Sequence, residues 1–135
     1  MRAADFTTGE VLPEQRVTVD AASMKVFTLI MDDPNPIHFD RQVTEELGLG
    51  SRLINQGTLN MAYPVNVVAA WAGNVRRIRS FRCRFLGSVY EGDEVIACAT
   101  VTEISGDQVT LEVSLEHTDG TRALAGSAVV DLGPL

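Results

Sequence analysis

Sixteen consecutive residues, Gly57 to Ala72, are small or apolar on nearly every side of a helix. Leu59, Met61, Ala62, Tyr63, Val65, Val67, Val68, Ala69, Ala70 and Trp71 leave no polar stripe to face water. A helix that is apolar all round is one the rest of the protein must surround. Helical throughout, the stretch is about 24 Å long, close to the width of a small domain. Pro64 removes one backbone bond inside it and predicts a kink, while Asn60 and Asn66 need partners wherever they are buried.

The chain after Gly73 supplies a cover. Its hydrophobic period changes from helical to two: Arg79, Phe81, Cys83 and Phe85 alternate with Ser80, Arg82 and Arg84. This alternation places Arg79 with the apolar set and predicts its partial burial. Residues 94–103 form an apolar run after the Glu91-Gly92-Asp93 turn. Val109, Leu111, Val113 and Leu115 then alternate with Thr110, Glu112, Ser114 and Glu116, as in a half-buried antiparallel strand. Ser105-Gly106-Asp107 and Thr118-Asp119-Gly120 are hairpin-type connections, and residues 121–132 supply a last strand. Helices first, then a four-strand meander curved around one greasy helix, is an α+β layer arrangement. So small a sheet leaves an exposed edge, which invites pairing and predicts a homodimer or higher homo-oligomer.

Upstream, Asp20 stands where a helix N-cap belongs, before residues 21–31, in which Met24, Phe27 and Met31 recur at helical spacing and predict one buried stripe. Pro34 and Pro36 cannot continue that helix, so it delivers its end into a stiff loop. Asp40 then caps a short helix that carries Val43 and Leu47 and stops at Gly48.

That loop, Asp33-Pro34-Asn35-Pro36-Ile37-His38, concentrates the polar chemistry. A carboxylate and an imidazole five positions apart, with two prolines fixing the path between them, can share one water as a base–acid pair. Asn35 offers both a donor and an acceptor to orient either group. On spacing alone, ordinary turn chemistry and a structural histidine explain the segment at least as well.

Composition narrows the alternatives. With 135 residues the chain is expected to form one domain over 1–135. Eleven Lys and Arg against eighteen Asp and Glu give a net charge of −7, which argues against nucleic acid as a partner. No apolar run approaches the ~18 residues of a spanning helix, so no membrane partner is expected. The first residues lack the apolar segment of a secretory signal, and two cysteines, Cys83 and Cys98, suit a reducing cytoplasm as small core hydrophobes. Two histidines, His38 and His117, form no ligand cluster, so neither a metal nor another cofactor is expected, and His117 reads as a surface residue.

The segment Asp33-Pro34-Asn35-Pro36-Ile37-His38, with Asp40 after it, resembles the D-x-N-P-[LIV]-H signature of the MaoC-like dehydratases, the (R)-specific enoyl-CoA hydratase family. Ile54-Asn55-Gln56-Gly57-Thr58-Leu59 is similar to the family's I-x-H-G-M-L segment. The resemblance implies a hot-dog fold, a long central helix wrapped by an antiparallel sheet. It implies a hydro-lyase in which Asp33 and His38 activate water for syn addition to a trans-2-enoyl thioester, with Asn35 in support. Gly57 would offer its N–H to the thioester oxygen, where a helix N-terminus has free donors.

Four departures accompany the resemblance. Asp32 stands where the family usually has Gly, Gln56 replaces the His of H-G-M and Thr58 its Met, and Thr44 stands where Ala or Ser is preferred. The substrate would be an acyl-CoA, with Gln56, Arg77, Arg82 and Arg84 as expected contacts. Arg76, Arg77, Arg79, Arg82 and Arg84 crowd nine positions of an acidic chain. They read either as a cationic patch for coenzyme A phosphates or as a solvated strand face. Residues 67–73 are also similar to a segment of MaoC-like proteins from sterol side-chain breakdown, some of which pair with a second hot-dog chain. Two other readings of the same fold are an acyl-CoA thioesterase and a non-catalytic acyl-binding subunit of a hetero-oligomer.

Overall fold

A computed structural model describes residues 1–135. In chain order the elements are β1 (Gln15–Thr18), α1 (Ala21–Met31), α2 (Arg41–Glu46), α3 (Gly57–Ala72), β2 (Ile78–Phe85), β3 (Glu94–Ser105), β4 (Gln108–His117) and β5 (Arg122–Asp131). The strands make one antiparallel sheet in the order β1-β3-β4-β5-β2.

The sheet exists because its strands alternate. Val95, Ala97, Ala99 and Val101 on β3, Val109, Leu111, Val113 and Leu115 on β4, and Leu124, Ala128 and Val130 on β5 turn one way and are buried. Against them lie Val67, Val68 and Ala72 of α3 and Met24 of α1, in one continuous core. This is the expected α+β architecture, a long helix held in an antiparallel sheet.

Four expectations need correction. The sheet has five strands: β1 was not foreseen, because Gln-Arg-Val-Thr has a single apolar residue and shows no period. The meander is only β3-β4-β5; β2 crosses to the far edge and pairs with β5. Arg79 is exposed rather than partly buried, because Ile78 opposes Val130 and Ser80 opposes Val129, leaving Arg79 as an extra residue in a bulge. There it pairs with Asp131 (3.1 Å). Finally, α3 is surrounded incompletely: Asn60, Pro64, Val67, Val68 and Ala72 are buried and most of the remainder half-buried, while Thr58, Asn66 and Ala70 leave a narrow exposed stripe. The helix runs α-helical through Pro64 to its left-handed cap at Gly73.

The N-terminal helices also differ from their apolar pattern. Asp20 caps α1 by accepting from Ser23 N (2.6 Å), as its position predicts. Only Met24 of the α1 stripe is fully buried, however; Phe27 is half-buried and Met31 is exposed. Leu29 and Ile30, 82% and 69% exposed, give α1 an apolar outer face. In α2, Thr44 is buried, and Leu47, the C-cap after it, is exposed. His117 is half-buried, its Nδ1 3.8 Å from Asp93.

Candidate active site

The C-terminus of α1 and the loop after it place Asp33. Asp32 closes the helix in the left-handed region, φ 49°, a conformation that Asp tolerates better than most residues and Gly best. Its side chain is exposed. The turn then redirects the chain so that Asp33 N donates to Thr28 O (3.1 Å). Pro36–His38 forms one 3-10 turn, which brings the imidazole back over the carboxylate.

The pair meets. His38 Nε2 lies 3.3 Å from Asp33 Oδ2. His38 is 7% exposed, and its Nδ1 donates to the Ile54 carbonyl at 2.6 Å. A carbonyl can only accept, so the hydrogen bond itself assigns the proton to Nδ1. Asn35 supports the pair through its backbone: its N–H donates to Asp33 Oδ1 (3.1 Å), while its side chain caps the turn by accepting from Ile37 N (3.3 Å). Asn35 thus fixes the loop rather than touching the imidazole.

Ile54 leads directly into the start of α3, three residues on. Gly57 opens that helix, and no side chain caps it. Gln56, the residue positioned to do so, is turned inward and buried, its amide donating to Met24 O (2.8 Å) and Thr28 Oγ1 (3.1 Å) of α1. The first N–H groups of α3 are thereby left without an internal capping partner. A Cβ at Gly57 would lie 3.3 Å from the ring of Phe85 on edge strand β2.

The foreseen residues do not all converge. Asp33, Asn35 and His38 form one cluster, and Ile54 ties it to the segment that carries Gly57. Gln56 is sequestered beneath α1, so it offers no surface to a ligand. Arg77 is spent on the end of β5, donating to Asp131 O (3.1 Å) and Gly133 O (2.7 Å). Arg82 and Arg84 are exposed and alternate with Phe81 and Cys83, which pack on the core, so they stand on the sheet's outer face. Sequence reasoning missed the Ile54 carbonyl, for which a backbone group sixteen residues away leaves no side-chain signal.

A groove of about 360 Å³ is lined by Lys25, Thr28 and Leu29 of α1 and by Phe39, the residue after His38; Asp33, Asn35, His38 and Gly57 are not among its walls. Deeper in, Asn55 donates to Asn60 Oδ1 (2.7 Å) and to the Tyr63 hydroxyl (3.2 Å), giving Asn60 the partner its burial requires. Burial pushes the Tyr63 phenol above its ordinary range, and likewise the thiols of Cys83 and Cys98, which suits neither cysteine to act as a nucleophile.

The profile of the MaoC-like domain matches residues 4–121. The chain belongs to the MaoC-like family. This MaoC-like chain is 31% identical, over 88 residues, to the mitochondrial 3-hydroxyacyl-[acyl-carrier-protein] dehydratase of Arabidopsis thaliana. The match takes in 65% of this chain and spans about half the length of that relative (51%). Among solved structures, the (R)-hydratase from A. caviae involved in PHA biosynthesis superposes with a TM-score of 0.86 at 24% identity, covering 95% of this chain and 98% of the other. The ChsH1–ChsH2 complex of Mycobacterium tuberculosis gives 0.83 at 22% identity, covering 94% of this chain and 98% of the matched one. These likenesses establish the hot-dog fold for this MaoC-like chain.

Proposed function

We propose that this protein is an (R)-specific enoyl thioester hydratase, running equally as a 3-hydroxyacyl thioester dehydratase. The observation that carries the reading is the Asp33–His38 contact with Nδ1 committed to Ile54. With Nδ1 carrying its hydrogen, a neutral imidazole presents the Nε2 lone pair beside the Asp33 carboxylate. Two adjacent acceptors grip the two hydrogens of one water and aim its oxygen outward.

Hydration then balances simply. The water oxygen bonds to C3 of the trans-2-enoyl thioester as one water proton passes to the pair. The pair returns a proton to C2 from the same face, which makes the addition syn. Negative charge develops on the thioester oxygen, and Gly57 N–H at the uncapped end of α3 receives it, aided by the helix dipole. Glycine at that position makes room for the Phe85 ring, which packs where a side chain would begin. Asp33 and His38 are the proposed catalytic residues, Asn35 their backbone support and Gly57 the oxyanion donor. The reading includes an oligomer, since β1 and β2 both end the sheet with an open edge.

The test is a panel of trans-2-enoyl-CoA and acyl-carrier-protein thioesters, from short to polycyclic. Loss of enoyl absorbance with formation of the (R)-3-hydroxy product supports the reading. Release of free thiol without hydration replaces it with a thioesterase, and inertness across the panel with a non-catalytic subunit.

A further inference from the structure

His38 can face Asp33 with Nε2 only while Nδ1 stays bonded to Ile54, so whatever fixes that carbonyl fixes the pair. Ile54 sits in a short antiparallel bridge opposite Tyr90. Leu53 O accepts from Glu91 N (2.9 Å) and Asn55 N donates to Val89 O (2.7 Å). On the other side, Ile54 N donates to Ile37 O (3.0 Å), in the residue before the histidine. The Glu91 side chain reaches across both flanks of this arrangement. Its Oε1 accepts from Leu53 N (2.8 Å) and from Arg41 Nε (2.7 Å), and its Oε2 from Arg41 Nη2 (2.6 Å). Leu53 immediately precedes Ile54, whose carbonyl accepts from His38, and Arg41 begins α2, three residues beyond His38.

We infer that Glu91, gripped by Arg41, is the positioning residue that holds the Ile54 carbonyl against His38 and thereby selects the imidazole tautomer. The bidentate guanidinium fork restrains direction as well as distance, which a single bond does not. Glu91 is largely enclosed, 16% exposed, whereas Arg41 remains 54% exposed. Neither residue touches Asp33 or His38. A second contact braces the same strip: Arg52 Nη1 donates to Asp93 Oδ1 (2.9 Å), and its guanidinium lies 4.8 Å over the Tyr90 ring. Arg41 also keeps the Glu91 carboxyl below its ordinary range, so the clamp is charged at neutral pH.

The inference rests on the hydratase reading for its kinetic consequence only; the tautomer is measurable whether or not the protein turns over any thioester. Long-range ¹H–¹⁵N spectra of the imidazoles, with only two histidines to assign, report the protonated nitrogen of His38 in the full chain. In the wild type, Nδ1 carries the proton. In Glu91→Ala and in Arg41→Met the two tautomers mix, while the circular dichroism spectrum is unchanged. On crotonyl-CoA, kcat falls by about 10- to 100-fold with KM held within about twofold, as misplaced geometry predicts. Arg41→Lys, keeping the charge and one bond, recovers part of both. Arg16→Gln, which breaks an exposed pair with Glu94, changes neither.

An unchanged His38 tautomer in a folded Glu91→Ala overturns the inference, whatever happens to kcat. So does a kcat loss in Arg41→Met without tautomer mixing. Should Glu91→Ala fail to fold, Arg41→Met, at an exposed position, decides alone. A wild type inert toward every thioester but showing the tautomer shift leaves the clamp standing and removes the hydratase reading.

Discussion

Replacing Gly57 by proline isolates one N–H. Gly57 is the first residue of α3, the helical position where proline is best tolerated because that amide has no internal partner. Gln56 before it already has φ −60° and ψ 140°, the extended geometry that proline demands of its predecessor. The new side-chain carbon meets the Phe85 ring at 3.3 Å, tighter than ordinary contact, but that ring is 55% exposed and free to turn outward. Gly57→Ala brings the same crowding at Cβ and keeps the N–H, so the difference between the two variants measures loss of the donor together with the proline Cδ that takes its place. A preorganised oxyanion donor contributes about 2.7–4 kcal/mol, hence kcat of the proline variant should lie about 100- to 1000-fold below that of the alanine variant. Both should keep the wild-type fold by circular dichroism, with melting temperatures close to each other. The assay is initial-rate loss of enoyl absorbance at saturating thioester. If the two variants show kcat within about threefold of each other, Gly57 N–H does not hold the developing charge.

Three further outcomes follow from the same coordinates. Asp33→Asn keeps an acceptor for Asn35 N but offers His38 Nε2 an amide donor, so stability should change by less than about 1 kcal/mol while kcat falls by about 100- to 10,000-fold; a variant retaining most of its turnover refutes the pair. Gly126→Ala should destabilise the sheet by roughly 3 kcal/mol or more in denaturant titration, because the added Cβ collides with the Arg82 carbonyl and sits 2.8 Å from Cys83 Cα; an unshifted midpoint contradicts the β2–β5 packing. Arg41 hydrogen bonds, assisted by Leu53 N–H, hold the Glu91 carboxyl below its ordinary 4.5. A carboxylate depressed on folding adds stability above its unfolded value and loses it as pH falls through the folded one. The stability gap between wild type and Glu91→Gln should therefore close as pH falls below the ordinary carboxylate value of 4.5, and a gap independent of pH speaks against an ionised clamp.

What could be read from the chain beforehand was local. The apolar run ending at Gly73 delimits α3, Asp20 starts α1, and the strict alternation from Val109 to Leu115 marks β4, because each signal sits within one element. The near approach of Asp33 and His38 was legible for the same reason: two prolines leave the intervening backbone few paths. Long-range facts were not. Nothing in Ile78–Phe85 says that its neighbour is β5 rather than β3, and the bulge at Arg79 arises only from that pairing. The exposed Leu29, Ile30 and Met31 break the expected stripe because burial depends on what lies opposite, which an isolated helix cannot encode. Arg77 was indistinguishable from Arg82 and Arg84 until the carbonyls of Asp131 and Gly133 came within its reach. Glu91 looked like a turn residue, since its partners lie 38 and 50 positions away.

The strand order also sets a timetable. Residues 33–57 carry the whole proposed site, yet β2 has no neighbour until residues 122–131 have been made, and β5 is the last element of the chain. A growing chain that already holds every reactive group therefore leaves Phe85 and the core-facing side of β2 unzipped from the sheet. Pairings this distant in sequence close slowly. Loss of the final fourteen residues, all outside the MaoC-like match, should accordingly yield an insoluble product rather than a folded but weakened one, because it strips one partner from each of two strands at once.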